Sequence, residues 1–308
     1  MSHWASTATT DNLIQRAKLL GALRHFLDER GLTEVQTPVL NPRSVSDVNI
    51  DSVAVADPEG FLRTSPEYAH KRLLAGGMGD LYEIGPVFRA KEDGRLHRVE
   101  FTLLEWYRIG LSWQKLAKET LELCQFALKA LGQAHRTEHW YDWSESFTTQ
   151  GLPDPLTASD DAIAAASTEL PADCDRDMRL DWLFSTRIQP ELPTDGLTIV
   201  HSFPASQAAL ARLNPEDPRK AQRFELFAGD IELANGYQEL TDWREQADRF
   251  EQDNQRRQEL GRRTMAIDED FLSALKAGLP ECAGVALGVD RLAMVVLGQS
   301  DIAQTRSF

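Results

Sequence analysis

Cysteine is scarce, with 3 in 308 residues: Cys124, Cys174 and Cys282, far apart and without metal-type spacing. That excludes a disulfide framework and a thiolate metal cage, and a reducing, cytoplasmic setting is expected. Long apolar runs are missing, since nothing approaches the roughly 18–20 residues of a membrane span. The stretch Met1 to Thr10 has no basic start followed by an apolar segment, so neither a membrane nor a secretory leader is expected. A basic surplus is missing too: 33 Lys and Arg face 48 Asp and Glu, a formal charge of −15. Proteins that grip a nucleic-acid backbone usually show a basic excess or patch, so extensive RNA or DNA binding is disfavoured. Neither Gly-x-x-x-x-Gly-Lys-Ser/Thr nor Gly-x-Gly-x-x-Gly occurs, which excludes the Walker and Rossmann phosphate loops.

What is present has the composition of a globular protein, 42% hydrophobic and 26% charged. Thr10 or Asp11 caps an expected helix with the stripe Leu13, Ala17, Leu20, Leu23 and Leu27, ended by Gly31. A strand is expected over Thr33–Leu40, then shorter ones at Phe61–Thr64, Leu81–Phe88 and Glu100–Trp106. Ser112 caps a helix over Trp113–Leu131. A strand-rich block spans Phe224–Leu240, and a charged helix spans Trp243–Leu260 with Asp242 and Glu245 spaced as a capping box. Residues 135–198, rich in Pro, Asp and Ser, show only a short helical piece near Ala162–Thr168 and read as a less regular excursion within one domain, 1–308. Hairpin spacing without strand–helix alternation gives an α+β fold, an antiparallel sheet flanked by helices.

Three segments carry chemistry. With Ala228-Gly229 as a two-residue turn, Glu225 falls opposite Glu232, and such like charges conflict unless a cation lies between them. Mg²⁺, which takes one or two carboxylates plus phosphate oxygens, would resolve the conflict; a solvated hairpin with an acidic wet side is the alternative. A bulge at Asn235-Gly236 would bring Glu239 to the same face. In the second segment, Phe88-Arg89 through Phe101, Arg89 offers a planar fork to a phosphate and Phe101 an aromatic face to a base. In the third, Gly288-Val289-Asp290-Arg291 leads into an apolar helix. A cation in a first helical turn opposes the helix dipole, so Arg291 is better explained by a bound anion than by local stability.

Taken in order, these segments resemble motifs 1 to 3 of a class II aminoacyl-tRNA synthetase core, motif 1 being the helix ending Phe26-Leu27-Asp28-Glu29-Arg30-Gly31 and the strand to Pro38. Glu232-Leu-Ala-Asn235-Gly236-Tyr-Gln-Glu239 and Phe101-Thr-Leu-Leu-Glu105-Trp-Tyr107 are similar to the lysyl branch. Thr64-Ser65-Pro66-Glu67-Tyr68 and Ala286 resemble the elongation factor P–(R)-β-lysine ligase family in particular. With the first core helix starting near residue 11, no anticodon-binding domain is expected.

The resemblance implies that Arg89 and Arg291 are catalytic, holding the α- and γ-phosphates of ATP, with Phe101 on adenine and His97 beside the nucleotide. It implies Mg²⁺ on Glu225 and Glu232. Glu67 would meet the α- or β-amino group of (R)-β-lysine or lysine, and Glu239, with Glu105 and Tyr107 near it, the ε-ammonium; Ser65, Asn235 and Ala286 complete that pocket. The implied acceptor is a lysine of elongation factor P, the implied assembly a homodimer, and tRNA is not an expected partner. A truncated lysyl-tRNA synthetase and a non-catalytic regulatory paralogue are the competing readings. Lys91, with Glu92 one step on, and Arg98-Val99 depart from the family pattern in motif 2. The acceptor being acidic by resemblance, the basic run Arg89–Arg98 is its expected docking place.

Overall fold

The structure, a computed structural model, describes residues 4–308. Thr9 caps the first helix, α1 (Thr10–Asp28), its hydroxyl accepting from Asn12 N. The buried face of α1 carries Leu19, Leu23, Phe26 and Leu27, so it is turned from the expected stripe, and Ala17 is exposed. Gly31 ends the turn with φ +76°, which only glycine adopts freely. Of the expected strand 33–40 only the ends pair, as β1 (Thr33–Glu34) and β2 (Leu40–Asn41). Between them Pro38 has no N–H, and Thr37 N donates to the Glu83 carboxylate instead of to a strand.

The remaining elements follow in order: β3 (Ala54–Ala56), β4 (Glu59–Leu62), α2 (Glu67–Ala75), β5 (Leu81–Phe88), β6 (Glu100–Ile109), α3 (Trp113–Ala130), β7 (Thr137–Asp142), α4 (Trp143–Thr149), α5 (Asp160–Ala166), α6 (Arg176–Leu183), β8 (Gly196–His201), β9 (Arg223–Ala228), β10 (Ile231–Gln238), α7 (Trp243–Glu259), α8 (Glu269–Gly278), β11 (Cys282–Gly288) and α9 (Val289–Leu297). At the start of α7 the Asp242 carboxylate accepts from Arg244 N, while Glu245 pairs with Arg249 rather than closing a capping box.

Eight strands form one sheet in the order β1-β5-β6-β11-β10-β9-β8-β7, and β2, β4 and β3 form a small separate one. The large sheet is antiparallel through its middle, but β1–β5 and β7–β8 are parallel, so it is mixed. The fold class is α+β, as expected. Residues 135–198 are more regular than their composition implies: β7 and β8 extend the sheet, and α4 to α6 lie between them. α5 matches the helical piece expected near Ala162–Thr168, while α4 and α6, of seven and eight residues, show too little period to be read from sequence.

Strand alternation sorts the sheet into two faces. Leu104, Trp106, Val285, Leu287, Phe224, Leu226 and Ala234 point to one side, forming the main core with α1, α3 and α9. Each fully buried Leu or Val there contributes about 1.5–3 kcal/mol. The other face is covered at its two ends. Leu74 of α2, Phe250 of α7 and Phe271 and Leu275 of α8 pack on Leu81, Tyr107 and Cys282. Trp143, Phe147, Ile163, Leu180 and Leu183 of the 135–198 segment pack on Val200 and Phe227. The middle of this face is left as a trough.

Candidate functional site

The floor of the trough is set by register. Glu83, Glu105, Ala286, Asn235 and Glu225 stand in one row across β5, β6, β11, β10 and β9; Leu81, Tyr107, Gly284, Tyr237 and Arg223 stand in the next. Strand neighbours share a face, so the acids and tyrosines that alternate along β6 and β10 converge.

The β9–β10 hairpin differs from its expected form. The pairs are Ala228 with Ile231 and Glu232 with Phe227, so Gly229-Asp230 is the turn, with Gly229 at φ +59°. The irregularity lies between Glu232 and Ala234, at Leu233, and Glu225 pairs with Asn235 rather than Glu232. Gly236 is kept for a different reason: a Cβ there would lie 2.6 Å from Phe224 Cζ and 2.8 Å from Val285 Cβ. The bulge, placed earlier than expected, still has the expected effect. One extra residue at Leu233 keeps Glu232, Asn235, Tyr237 and Glu239 on the same face.

At one end of the trough Glu67, Glu105 and Glu239 come together. Glu105 is buried, accepting from Ser65 Oγ at 2.9 Å and Tyr107 Oη at 2.7 Å. Behind it runs a chain of alternating charge: His70 lies 3.5 Å from Glu105 and 3.0 Å from Glu83, and Arg63 lies 2.7 Å from Glu83. Burial opposes charge on His70, but the two carboxylates outweigh it and raise its pKa. Burial likewise opposes ionisation of Glu83, yet His70, Thr37 and Arg63 hold it down at about 2. Gly85 makes room for the Arg63 guanidinium, which a Cβ would strike.

Glu239 is 1% exposed, and burial, reinforced by Glu67 and Glu105, pushes its carboxyl up to about 8 although Lys71 pulls the other way. The Lys71 ammonium lies 2.5 Å from Glu67 Oε1 and 2.5 Å from Glu239 Oε2. Tyr237 Oη donates to Glu67 Oε1 at 2.6 Å. Glu239 Oε2 is buried, and its partner among the described residues is the Lys71 ammonium. Ala286 contributes only a methyl between Glu105 and Asn235, and Asn235 Oδ1 accepts from Arg223 at 3.3 Å.

The other end is built for anions and a flat ring. The Arg89 guanidinium lies 5.3 Å from the centre of the Phe101 ring, and its buried Nε has no hydrogen-bond partner. Arg291, in the first turn of α9, donates to Glu232 O at 3.0 Å and reaches the Glu232 carboxylate at 3.3 Å. Its other nitrogen meets His97 Nε2 at 2.7 Å. Burial, then the Arg291 charge, lower the His97 pKa, so His97 is the neutral acceptor of that bond. Beside Arg291, Asp290 is buried against Arg16 (2.6 Å), Arg306 (3.1 Å) and Thr102 N (2.9 Å), tying α1, β6 and the C-terminal segment to α9.

Between the two ends lie Glu225 and Glu232. Burial pushes Glu225 up to about 7, the Glu232 charge adding to it while Arg223, 2.6 Å away, opposes it. Among the described residues no group of three or more His, Cys, Asp or Glu side chains is placed to hold a metal by itself. Glu225 is paired with Arg223 and Glu232 with Arg291, and two carboxylates without a third suit Mg²⁺, which completes its shell from phosphate and water. The basic run is less available than its sequence implies: Arg89 faces Glu92, Lys91 pairs with Asp51, and Arg98 with Asp93 and Asp301, while Arg95 bonds a carbonyl.

Lys71, His70, Glu83, Arg63, Arg223 and Tyr237 line or brace the trough without having been singled out in the sequence. Lys71 alone left a local signal, lying one helical turn after Glu67.

A mixed sheet with an acid-lined pocket at one end and Arg–Phe and Arg–His pairs at the other defines the catalytic core of a class II synthetase. The family profile "tRNA synthetases class II (D, K and N)" matches residues 2–308. Full-length relatives narrow this further. An elongation factor P–(R)-β-lysine ligase of Vibrio parahaemolyticus is 43% identical over 321 residues, 100% of this chain and 98% of the relative. Ligases of the same name from Histophilus somni (43% over 317 residues, covering 99% and 97%) and Photorhabdus laumondii (40% over 321 residues, covering 100% and 97%) are similar. The chain belongs to the elongation factor P–(R)-β-lysine ligase family within that class.

Proposed function

We propose that this chain uses ATP to activate (R)-β-lysine, or less well lysine, as an adenylate and transfers it to a lysine of elongation factor P. The observation that carries this reading is the meeting of Glu67, Glu105 and Glu239 in one buried pocket on the sheet face that also bears Arg89, Phe101 and Arg291. A substrate amino group buried there gains carboxylate partners on two sides, and its carboxylate then faces the arginine end.

Activation begins with a substrate carboxylate oxygen attacking the α-phosphorus of ATP in line. The bond to the β-phosphate oxygen breaks and pyrophosphate leaves. Arg89, stacked on the ring that would take adenine, stabilises charge at the α-phosphate, and Arg291 does so at the γ-phosphate. His97 would leave Arg291 free to turn toward phosphate, since a neutral acceptor is easily exchanged for an anion. Glu225 and Glu232 are the residues that would hold Mg²⁺, which supplies positive charge against the phosphates. In the second step the unprotonated ε-amine of the acceptor lysine attacks the carbonyl carbon. AMP leaves, an amide forms, and the amine loses a proton to solvent.

Among the described residues no helix is long and apolar enough to cross a membrane. Cys124 and Cys282 are buried free thiols, pushed toward the protonated form by burial. A homodimer through α1 and β1 is the assembly that motif 1 implies, and light scattering on the eluting protein tests it. The deciding experiment for the function offers the activated enzyme tRNA and elongation factor P side by side, with labelled (R)-β-lysine and lysine. Label is expected on the protein acceptor; label on tRNA alone would refute the reading.

A further inference from the structure

A lysine inside a pocket meant for ammonium groups is at first sight an obstacle. Two like charges brought together in a site shielded from water repel each other strongly. Yet Lys71 is fully buried, its ammonium contacting Glu67 on its own helix and Glu239 at the end of β10. It also lies 5.5 Å from the Tyr237 ring and 5.9 Å from the Phe271 ring, so it has no route to water.

Charge balance explains its presence. The pocket and the chain behind it hold four carboxylates, Glu67, Glu83, Glu105 and Glu239, against Arg63, Lys71 and the shared proton of His70. Without Lys71, three carboxylates would converge with only His70, beside Glu105, to offset them. Buried acids so placed take up protons rather than stay ionised. With Lys71 present, Glu67 and Glu239 are linked through one ammonium, and the remaining excess of carboxylate over cation is what a second ammonium, brought by a ligand, would balance.

We propose that Lys71 is a specificity-determining positioning residue: its ammonium locks Glu67 and Glu239 at a fixed spacing and sets the pocket charge so that amino acids with two ammonium groups bind and those with one do not. The inference rests on the reading of this pocket as the amino-acid site. The groups facing Glu239 are Glu67 and Lys71 from α2, Glu105 and Tyr107 from β6, Tyr237 from its own strand and Cys282 from β11. Among these Lys71 is the cation and the group that pulls the Glu239 carboxyl down, so its removal drives that carboxyl further up and makes the proton harder for a substrate ammonium to displace.

The test is amino-acid-dependent ATP–pyrophosphate exchange, comparing lysine or (R)-β-lysine with norleucine, which lacks the terminal amine. Exchange by the wild-type protein with either diamino acid tests the pocket reading itself, and its absence there would fail that reading whatever Lys71 does. Given wild-type exchange, Lys71→Met is expected to raise KM for the diamino acid at least about tenfold, the ratio one pKa unit carries, with KM for ATP unchanged. Discrimination against norleucine is expected to fall by a similar factor. Lys71→Arg, which keeps the charge, is expected to retain that discrimination even where kcat drops. Unaltered discrimination in a folded Lys71→Met, or equal loss in Lys71→Arg, would overturn the proposal. If Lys71→Met does not fold, Lys71→Gln removes the charge but keeps a donor between the two acids, and the same comparison decides.

Discussion

Replacing Gly284 with alanine adds one methyl group at the centre of the pocket floor. Gly284 stands on β11 between Tyr107 and Tyr237, and its added Cβ would lie 2.7 Å from Tyr107 Cδ1 and closer still to Tyr107 Cε1 and Glu239 Oε1. Carbon atoms settle at about 3.5–4.0 Å, so the neighbours must retreat by about 1 Å. The Tyr107 ring has little room, being buried, edge-on to His70 at 5.6 Å and tied through its hydroxyl to Glu105 at 2.7 Å. Glu239 can swing aside, but only by leaving Lys71. Such overpacking costs about 1–3 kcal/mol. Replacing a strand glycine returns about 0.5–1 kcal/mol, so the net loss of stability should be small. Function should suffer far more, because a displacement of about 1 Å at positioning groups can cost about a hundredfold. ATP–pyrophosphate exchange with (R)-β-lysine measures the effect, with a thermal melt beside it. Gly21→Ala is the control, since a Cβ there meets nothing within 4 Å. Exchange by Gly284→Ala within about threefold of wild type would refute the placement of the pocket floor, as the hundredfold expectation rests on it.

Glu239→Gln should abolish adenylate formation with lysine-type substrates, read as lost exchange, because the carboxylate that receives the ammonium is gone; wild-type rates would refute its assignment. With Glu239 raised to about 8, the free enzyme holds it protonated below that pH, and binding an ammonium requires the proton to leave. On this basis kcat/KM for the diamino acid should rise about tenfold per pH unit up to about pH 8 and then level off, and a flat profile from pH 6 to 8 would count against it. Asp290→Ala strands the Arg16 and Arg306 charges around a buried position and should cost about 3 kcal/mol in urea unfolding, where a loss under about 1 kcal/mol would show the cluster is not structural.

Legibility varied with the range of the interaction. α3 is legible in its own residues, as are the ends of β5 and the start of β6, because the apolar period is a local signal; Ser112 stands at the expected N-cap position, although its side chain makes no capping hydrogen bond. α1 was read in place but not in rotation, since its buried face depends on where α3 lies. Of the helices between β7 and β8, α5 corresponds to the piece expected near Ala162–Thr168, whereas α4 and α6 are too short to show a period before their neighbours bury them. In the β9–β10 hairpin the glycine pattern pointed to Asn235-Gly236 for the bulge. Packing against Phe224 and Val285 claims Gly236 instead, so the extra residue moves to Leu233.

The sequence by itself determined the reaction class through the resemblance of three ordered segments to a class II synthetase core. Arg89, Phe101, Arg291, Glu225 and Glu232, taken singly, are residue types that suit phosphate, a base or a metal, and it is their order along the chain that carries the resemblance. Only the tertiary structure decided that Lys71 stands between Glu67 and Glu239. Lys71 and Glu239 are far apart in sequence and belong to different elements, and each alone is an ordinary charged side chain. Their meeting depends on α2 closing over the sheet and on one extra residue at Leu233 turning Glu239 to the same face. A buried charge has meaning only through its partners, and those partners are assembled by packing rather than by spacing along the chain.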